Sequence, residues 1–109
     1  MDKFRELASI HFHKAPDNLN CAQSVAKIAG RDDLVPGDLA FGGGRAEGGI
    51  CGALFAALQC TPEENHEKIK EEFAQKAGAL TCREIKGKAK TPCSECVAVG
   101  AFLADKYQK

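Results

Sequence analysis

The stretch that decides the fold reads Gly48-Gly49-Ile50-Cys51-Gly52-Ala53-Leu54-Phe55-Ala56-Ala57-Leu58-Gln59. From about Ile50 to Gln59 it is apolar on every side, which predicts a helix in the middle of the fold rather than on its surface. Its apolar run, Ile50 to Leu58, is roughly half of what a bilayer requires. Downstream, Thr61-Pro62-Glu63-Glu64 combines a capping threonine, a proline at the first helical position and a glutamate at the third. It predicts a helix running to about Lys76, with Ile69 and Phe73 inward, mixed charges outward and Gly78 at its end. Cys82-Arg83-Glu84-Ile85 reads as a short turn. A last helix starts at Thr91-Pro92 and carries Val97, Ala98, Ala101, Phe102 and Leu103. Upstream, Asn20 and Gln23 form a candidate capping box for a helix that buries Ala22, Val25, Ala26 and Ala29 and ends at Gly30. Pro16-Asp17-Asn18 separates it from a first helix, about Lys3 to His13, with Phe4, Leu7, Ala8 and His11 on one face. The segment from Arg31 to Gly49, with Pro36-Gly37-Asp38 and three successive glycines, reads as a loop. No alternating apolar run bounded by turns suggests a strand. The expectation is an all-α, single-domain bundle of about five helices over residues 1–109, with an apolar central helix preceded by a Gly-rich loop.

At 109 residues the chain holds one domain, and a 44% hydrophobic content is that of a globular protein. Six Phe, one Tyr and no Trp leave Ala and Gly to fill the core, which favours close helix packing over bulk. Fifteen basic residues balance fifteen acidic ones, against a nucleic-acid or basic membrane-surface partner. The cluster Lys86-Gly87-Lys88-Ala89-Lys90 reads as a solvated loop, and the acid-rich fourth helix as a solvated face. The N-terminus, Met1-Asp2-Lys3-Phe4-Arg5-Glu6, is charged and helical in pattern and has no signal-peptide core. A cytoplasmic protein is expected. In a reducing compartment the six cysteines read as redox thiols or metal ligands rather than a disulfide framework.

Three of the cysteines stand where a helix should begin: Cys21 after Asn20, Cys51 after Gly48-Gly49-Ile50, and Cys93 after Thr91-Pro92. Unpaired N–H groups and positive partial charge at a helix start favour a thiolate, the form that attacks disulfides and binds metals. Cys51 has the clearest setting. The glycines before and after it, Gly43, Gly44, Gly49 and Gly52, let backbone approach a ligand and converge N–H groups on one point. The loop is not a nucleotide fingerprint, since it lacks a lysine-serine and no strand precedes it. Cys93-Ser94-Glu95-Cys96 is a CxxC at a helix start, suited to an internal disulfide or to chelation. Val97 follows it rather than histidine, so it is not a haem attachment site. A four-cysteine zinc site would draw on Cys82 with Cys51 or Cys21. Cys82 neighbours Arg83, whose charge favours a thiolate. Cys60 lies too far along the helix from Cys51 to share a bond with it, and reads as a packing residue. His11 and His13 point to opposite sides of one helix, and His66 reads as solvated.

In order along the chain, Asn20-Cys21-Ala22-Gln23-Ser24-Val25, Phe41-Gly42-Gly43-Gly44, Cys51-Gly52-Ala53, Cys82-Arg83-Glu84 and Cys93 with Val97 resemble a family named for its cysteine pattern, C_GCAxxG_C_C. The likeness runs from roughly Phe4 to Leu103. One position departs: Ala56 stands where the pattern has glycine, and alanine is small enough to keep a tight helix contact. The resemblance implies a redox role for Cys21, Cys51, Cys82 and Cys93, with Cys60 and Cys96 as additions. It brings no established reaction, substrate or cofactor. The leading expectation is thiol/disulfide exchange or electron transfer with a redox partner protein. Cys51 is then the candidate nucleophile and Cys21 or Cys93 its resolving partner. The other expectation is an iron–sulfur or zinc module using Cys21, Cys51, Cys82, Cys93 and Cys96 as ligands.

Overall fold

The computed structural model describes residues 2–12, 19–38, 49–85, 87, 91 and 93–107, with the backbone alone of Asp2, Leu34, Pro36, Asp38, Cys82 and Cys93. These residues form α1 (Asp2–His11), α2 (Cys21–Ile28), α3 (Val35–Asp38), α4 (Gly52–Gln59), α5 (His66–Ala77), α6 (Cys82–Glu84) and α7 (Cys93–Lys106). Two 3₁₀ turns, Asp32–Leu34 and Glu63–Asn65, precede α3 and α5. The fold is an all-α bundle; among the described residues there is no strand, only two isolated bridges, Phe12 with Leu19 and Ile50 with Thr81. His13, Pro16-Asp17-Asn18, the glycines Gly42 to Gly44 and Lys88-Ala89-Lys90 lie outside the described residues.

The helix ends follow local chemistry. Asn20 caps α2 through a full capping box: its Oδ1 accepts from the Gln23 amide at 2.8 Å, and Gln23 Oε1 accepts from the Asn20 amide at 3.1 Å. At the other end Gly30, with φ +80°, closes a Schellman motif. Its amide donates to Lys27 O at 3.1 Å and that of Arg31 to Ala26 O at 2.8 Å. Gly78, with φ +94°, ends α5.

Three details differ from the expectation. Part of the expected loop is helical, as the turn Asp32–Leu34 and α3; Gln23 Nε2 donates to Val35 O at 3.0 Å and ties α3 to α2. Thr61 does not cap the following helix: its hydroxyl turns back and donates to Ala57 O at 2.9 Å, closing α4. Pro62 keeps an extended backbone, so the helical path resumes only at Glu63. His66 is half-buried rather than solvated. Its Nε2 lies 2.8 Å from Leu58 O and 3.2 Å from Thr61 O. Both partners are acceptors, so Nε2 carries the proton and adds a bond to the carbonyls at the end of α4.

The core is built from small residues. In α4, Gly52, Ala53, Leu54, Ala56 and Ala57 are buried, as the all-round apolar pattern required. This helix packs against α2, α5 and α7. It shares the centre with α7, which touches α1, α2, α4 and α5 and buries Cys96 to Ala101, Leu103 and Ala104. A close crossing lies at Gly100. A Cβ there would stand 2.8 Å from Ala53 O and 3.1 Å from Val25 Cγ2. Only glycine fits, so α7 lies directly against the backbone of α4 and the side chain of Val25 on α2. The outer helices are clipped on. Phe4 of α1 meets Phe102 edge-on at 5.9 Å, Arg5 pairs with Glu95 at 3.0 Å, and Glu72 Oε1 of α5 accepts from Lys106 Nζ and the Tyr107 hydroxyl of the α7 end.

Candidate functional site: a buried thiol cluster

Val25, Ala53 and Gly100 meet where three helices cross, and each has a cysteine close before it in sequence. Cys21 is one turn before Val25, Cys96 is one turn before Gly100, and Cys51 caps the helix whose second residue is Ala53. The Cys51 thiol makes hydrogen-bonding contact with both the Cys21 and the Cys96 thiols. All three are buried, with Cys21 8%, Cys51 5% and Cys96 2% exposed, so Cys21 is the outermost. None of them, nor Cys60, is joined in a disulfide.

Local structure supplies each position. Cys21 opens α2 directly after the Asn20 capping box. Gly49, with φ +71°, turns the chain into Ile50 and Cys51; an added Cβ would meet nothing within 4 Å, so the backbone angle and not space calls for glycine. The Cys51 amide donates to Leu80 O at 2.9 Å, and Ile50 bridges Thr81. That pairing brings the start of α6 beside the start of α4. Thr81 caps α6 with its hydroxyl, accepting from the Glu84 amide at 3.2 Å and donating to Glu84 Oε1 at 3.0 Å.

The expected site residues therefore fall as follows. Cys21 and Cys51 meet. Cys82, expected in a turn, is the first residue of α6, and its backbone lies two residues past the Leu80 carbonyl that holds Cys51. Cys93 opens α7 one turn before Cys96; the side chains of Cys82 and Cys93 lie outside the described atoms. Cys96, the second cysteine of the CxxC, meets the Cys51 thiol. Gly49 and Gly52 flank Cys51, while Gly43 and Gly44 lie outside the described residues. Cys60 sits in the core at the far end of α4.

The electrostatics reverse one expectation. The strongest influence on Cys51 is the hydrogen bond from Cys21, which favours its thiolate, and the Ala53 amide at the helix start acts in the same direction. The side chain makes no capping hydrogen bond, however, so the helix terminus contributes little. The contact with Cys96, burial, and repulsion from Cys96 outweigh both, and the Cys51 thiol is pushed up to about 12. Cys51 thus keeps its proton at neutral pH. It therefore does not open an exchange as a resident thiolate, and attacks only as its proton passes to the departing thiolate.

Sequence reasoning also missed Ser24. It lies one turn after Cys21, is fully buried, and its hydroxyl has no hydrogen-bond partner among the described residues. Nothing in its sequence context signals this. No group of three or more His, Cys, Asp or Glu side chains among the described residues is arranged to hold a metal ion. No described helix is long and apolar enough to cross a membrane. Compared with protein-family models, with curated proteins and with solved structures, the chain finds no match.

Proposed function

We propose that this protein is a small redox module that exchanges two electrons with a redox partner by making and breaking a disulfide at Cys51. The observation that carries this reading is the position of the Cys51 thiol, in hydrogen-bonding contact with two other thiols from helices distant in sequence. Thiols in direct contact are the arrangement from which a disulfide closes, its Cβ atoms coming to a mean separation of roughly 3.8 Å. Burial in a rigid apolar crossing keeps the three together in the reduced state. The C_GCAxxG_C_C resemblance supports the same role and adds Cys82 and Cys93 to the set. A reducing cytoplasm is the compartment in which such a cluster rests as thiols.

The test is an equilibrium titration in thiol/disulfide buffers, with reactive thiols trapped and counted by mass. A reversible loss of two thiols with a defined potential is expected. Full retention of all thiols across the buffer range, with the fold intact, would overturn the proposal.

A further inference from the structure

The cluster holds three sulfurs, and a disulfide needs two. Cys51 touches both neighbours, so it can bond to Cys21 or to Cys96, never to both. Whichever bond forms, the third thiol is left against a sulfur of that bond. This is the starting arrangement for internal thiol–disulfide exchange, in which a thiol attacks a disulfide sulfur through a mixed arrangement of three sulfurs. The exposures of Cys21, Cys51 and Cys96 fall in the order 8%, 5% and 2%, which gives the chain of sulfurs an outer and an inner end. Burial of all three, with Cys21 the outermost, favours a small disulfide over one held on a folded surface.

We propose that Cys21, Cys51 and Cys96 form an exchange relay in which Cys21 takes oxidising equivalents from a small disulfide and Cys51, the shared sulfur, passes them inward to Cys96. The proposal rests on the redox reading of the cluster. In the first step Cys21 sulfur attacks R–S–S–R, giving the mixed disulfide Cys21–S–S–R and one R–SH, which takes the Cys21 proton. Cys51 sulfur then attacks Cys21 sulfur, releasing the second R–SH and forming Cys21–Cys51. Finally Cys96 sulfur attacks Cys51 sulfur; Cys51–Cys96 forms, and Cys21 leaves as a thiol carrying the proton from Cys96. Two protein thiols are oxidised and one small disulfide is reduced. The last step is internal and needs no further oxidant. Its result is a stored disulfide at the inner end and a regenerated thiol at the outer end.

The experiment mixes the full reduced chain with oxidised glutathione, quenches samples with acid over time, and maps disulfides by mass spectrometry. In the wild type, Cys21–Cys51 is expected first, with Cys51–Cys96 growing at its expense. Cys96→Ser stops at Cys21–Cys51, and Cys21→Ser loses the rapid phase of glutathione uptake. The wild-type time course needs no variant to fold. A Cys51–Cys96 bond that precedes Cys21–Cys51, a Cys21–Cys96 bond, or a Cys21–Cys51 bond that never migrates overturns the relay while leaving the redox reading intact. A chain that forms no disulfide overturns both.

Discussion

Replacing Gly100 by alanine tests the geometry that creates the site. The added methyl would stand 2.8 Å from Ala53 O and 3.1 Å from both Ala53 C and Val25 Cγ2. A carbonyl oxygen of α4 cannot rotate away as a flexible side chain does, so α7 must shift from α4. Because the clash is with backbone, the upper part of the usual overpacking range applies, about 2–3 kcal/mol. Alanine recovers about 1 kcal/mol of helix propensity relative to glycine. The net expectation is a loss of about 1–2 kcal/mol, or a thermal midpoint lower by roughly 5–10 °C for a domain of this size. Because Gly100 is one turn beyond Cys96 and Ala53 follows Cys51, the same shift draws the Cys96 thiol from the Cys51 thiol. Urea denaturation of the reduced protein measures the first effect. Alkaline titration of Cys51 measures the second, which appears as a fall from about 12 towards the ordinary value. A variant that is unchanged, or stabilised by the propensity gain alone, would refute the crossing as described.

The raised Cys51 value makes stability depend on pH with a definite sign. The folded chain holds the Cys51 proton up to about pH 12, whereas the unfolded chain releases it near 9, so the contribution is complete below pH 9 and is lost as pH rises towards 12. At about 1.4 kcal/mol per unit, the loss is at most about 4 kcal/mol. Chemical denaturation of wild type and Cys51→Ala across that range measures it, and a flatter profile for the variant is expected. Asn20→Ala removes the capping-box acceptor at the Cys21 helix start and should cost about 1–2 kcal/mol, read by the same denaturation. Ser24→Ala removes a buried hydroxyl with no partner among the described residues and should be neutral or stabilising by about 1 kcal/mol; a clear loss would mean that the hydroxyl is satisfied. Cys60→Ala should leave the disulfides that form unchanged, since Cys60 lies at the far end of α4 from the cluster.

Much of the fold is written locally. The Asn20–Gln23 box, the glycine ends at Gly30 and Gly78, and the all-round apolar pattern of residues 52–59 each act within a turn or two. The sequence therefore shows them directly. The Thr61-Pro62-Glu63 signal misled because the Thr61 hydroxyl had a competing use: the carbonyls at the end of α4 were nearer than the amides ahead. His66 was hidden for a related reason, as its partners, Leu58 and Thr61, belong to the preceding helix end. Within the site, the placement of Cys21 and Cys51 at helix starts was legible. The place of Cys96 was not, because it depends on where α7 crosses α4. That crossing is set by the missing side chain of Gly100, a long-range contact without a local pattern. The direction of the Cys51 shift was hidden likewise. A helix start argues for a thiolate, and only the tertiary neighbours reveal the burial and the second thiol that outweigh it.

The central claim is that Cys51 is the shared sulfur of the cluster. It is tested most directly by counting thiols lost at equilibrium in an oxidising glutathione buffer, in the wild type and in Cys51→Ser. The account predicts that the wild type loses two thiols reversibly and that the variant, still folded by circular dichroism, forms no disulfide between Cys21 and Cys96. A Cys51→Ser protein that forms a disulfide with an unchanged potential would contradict it.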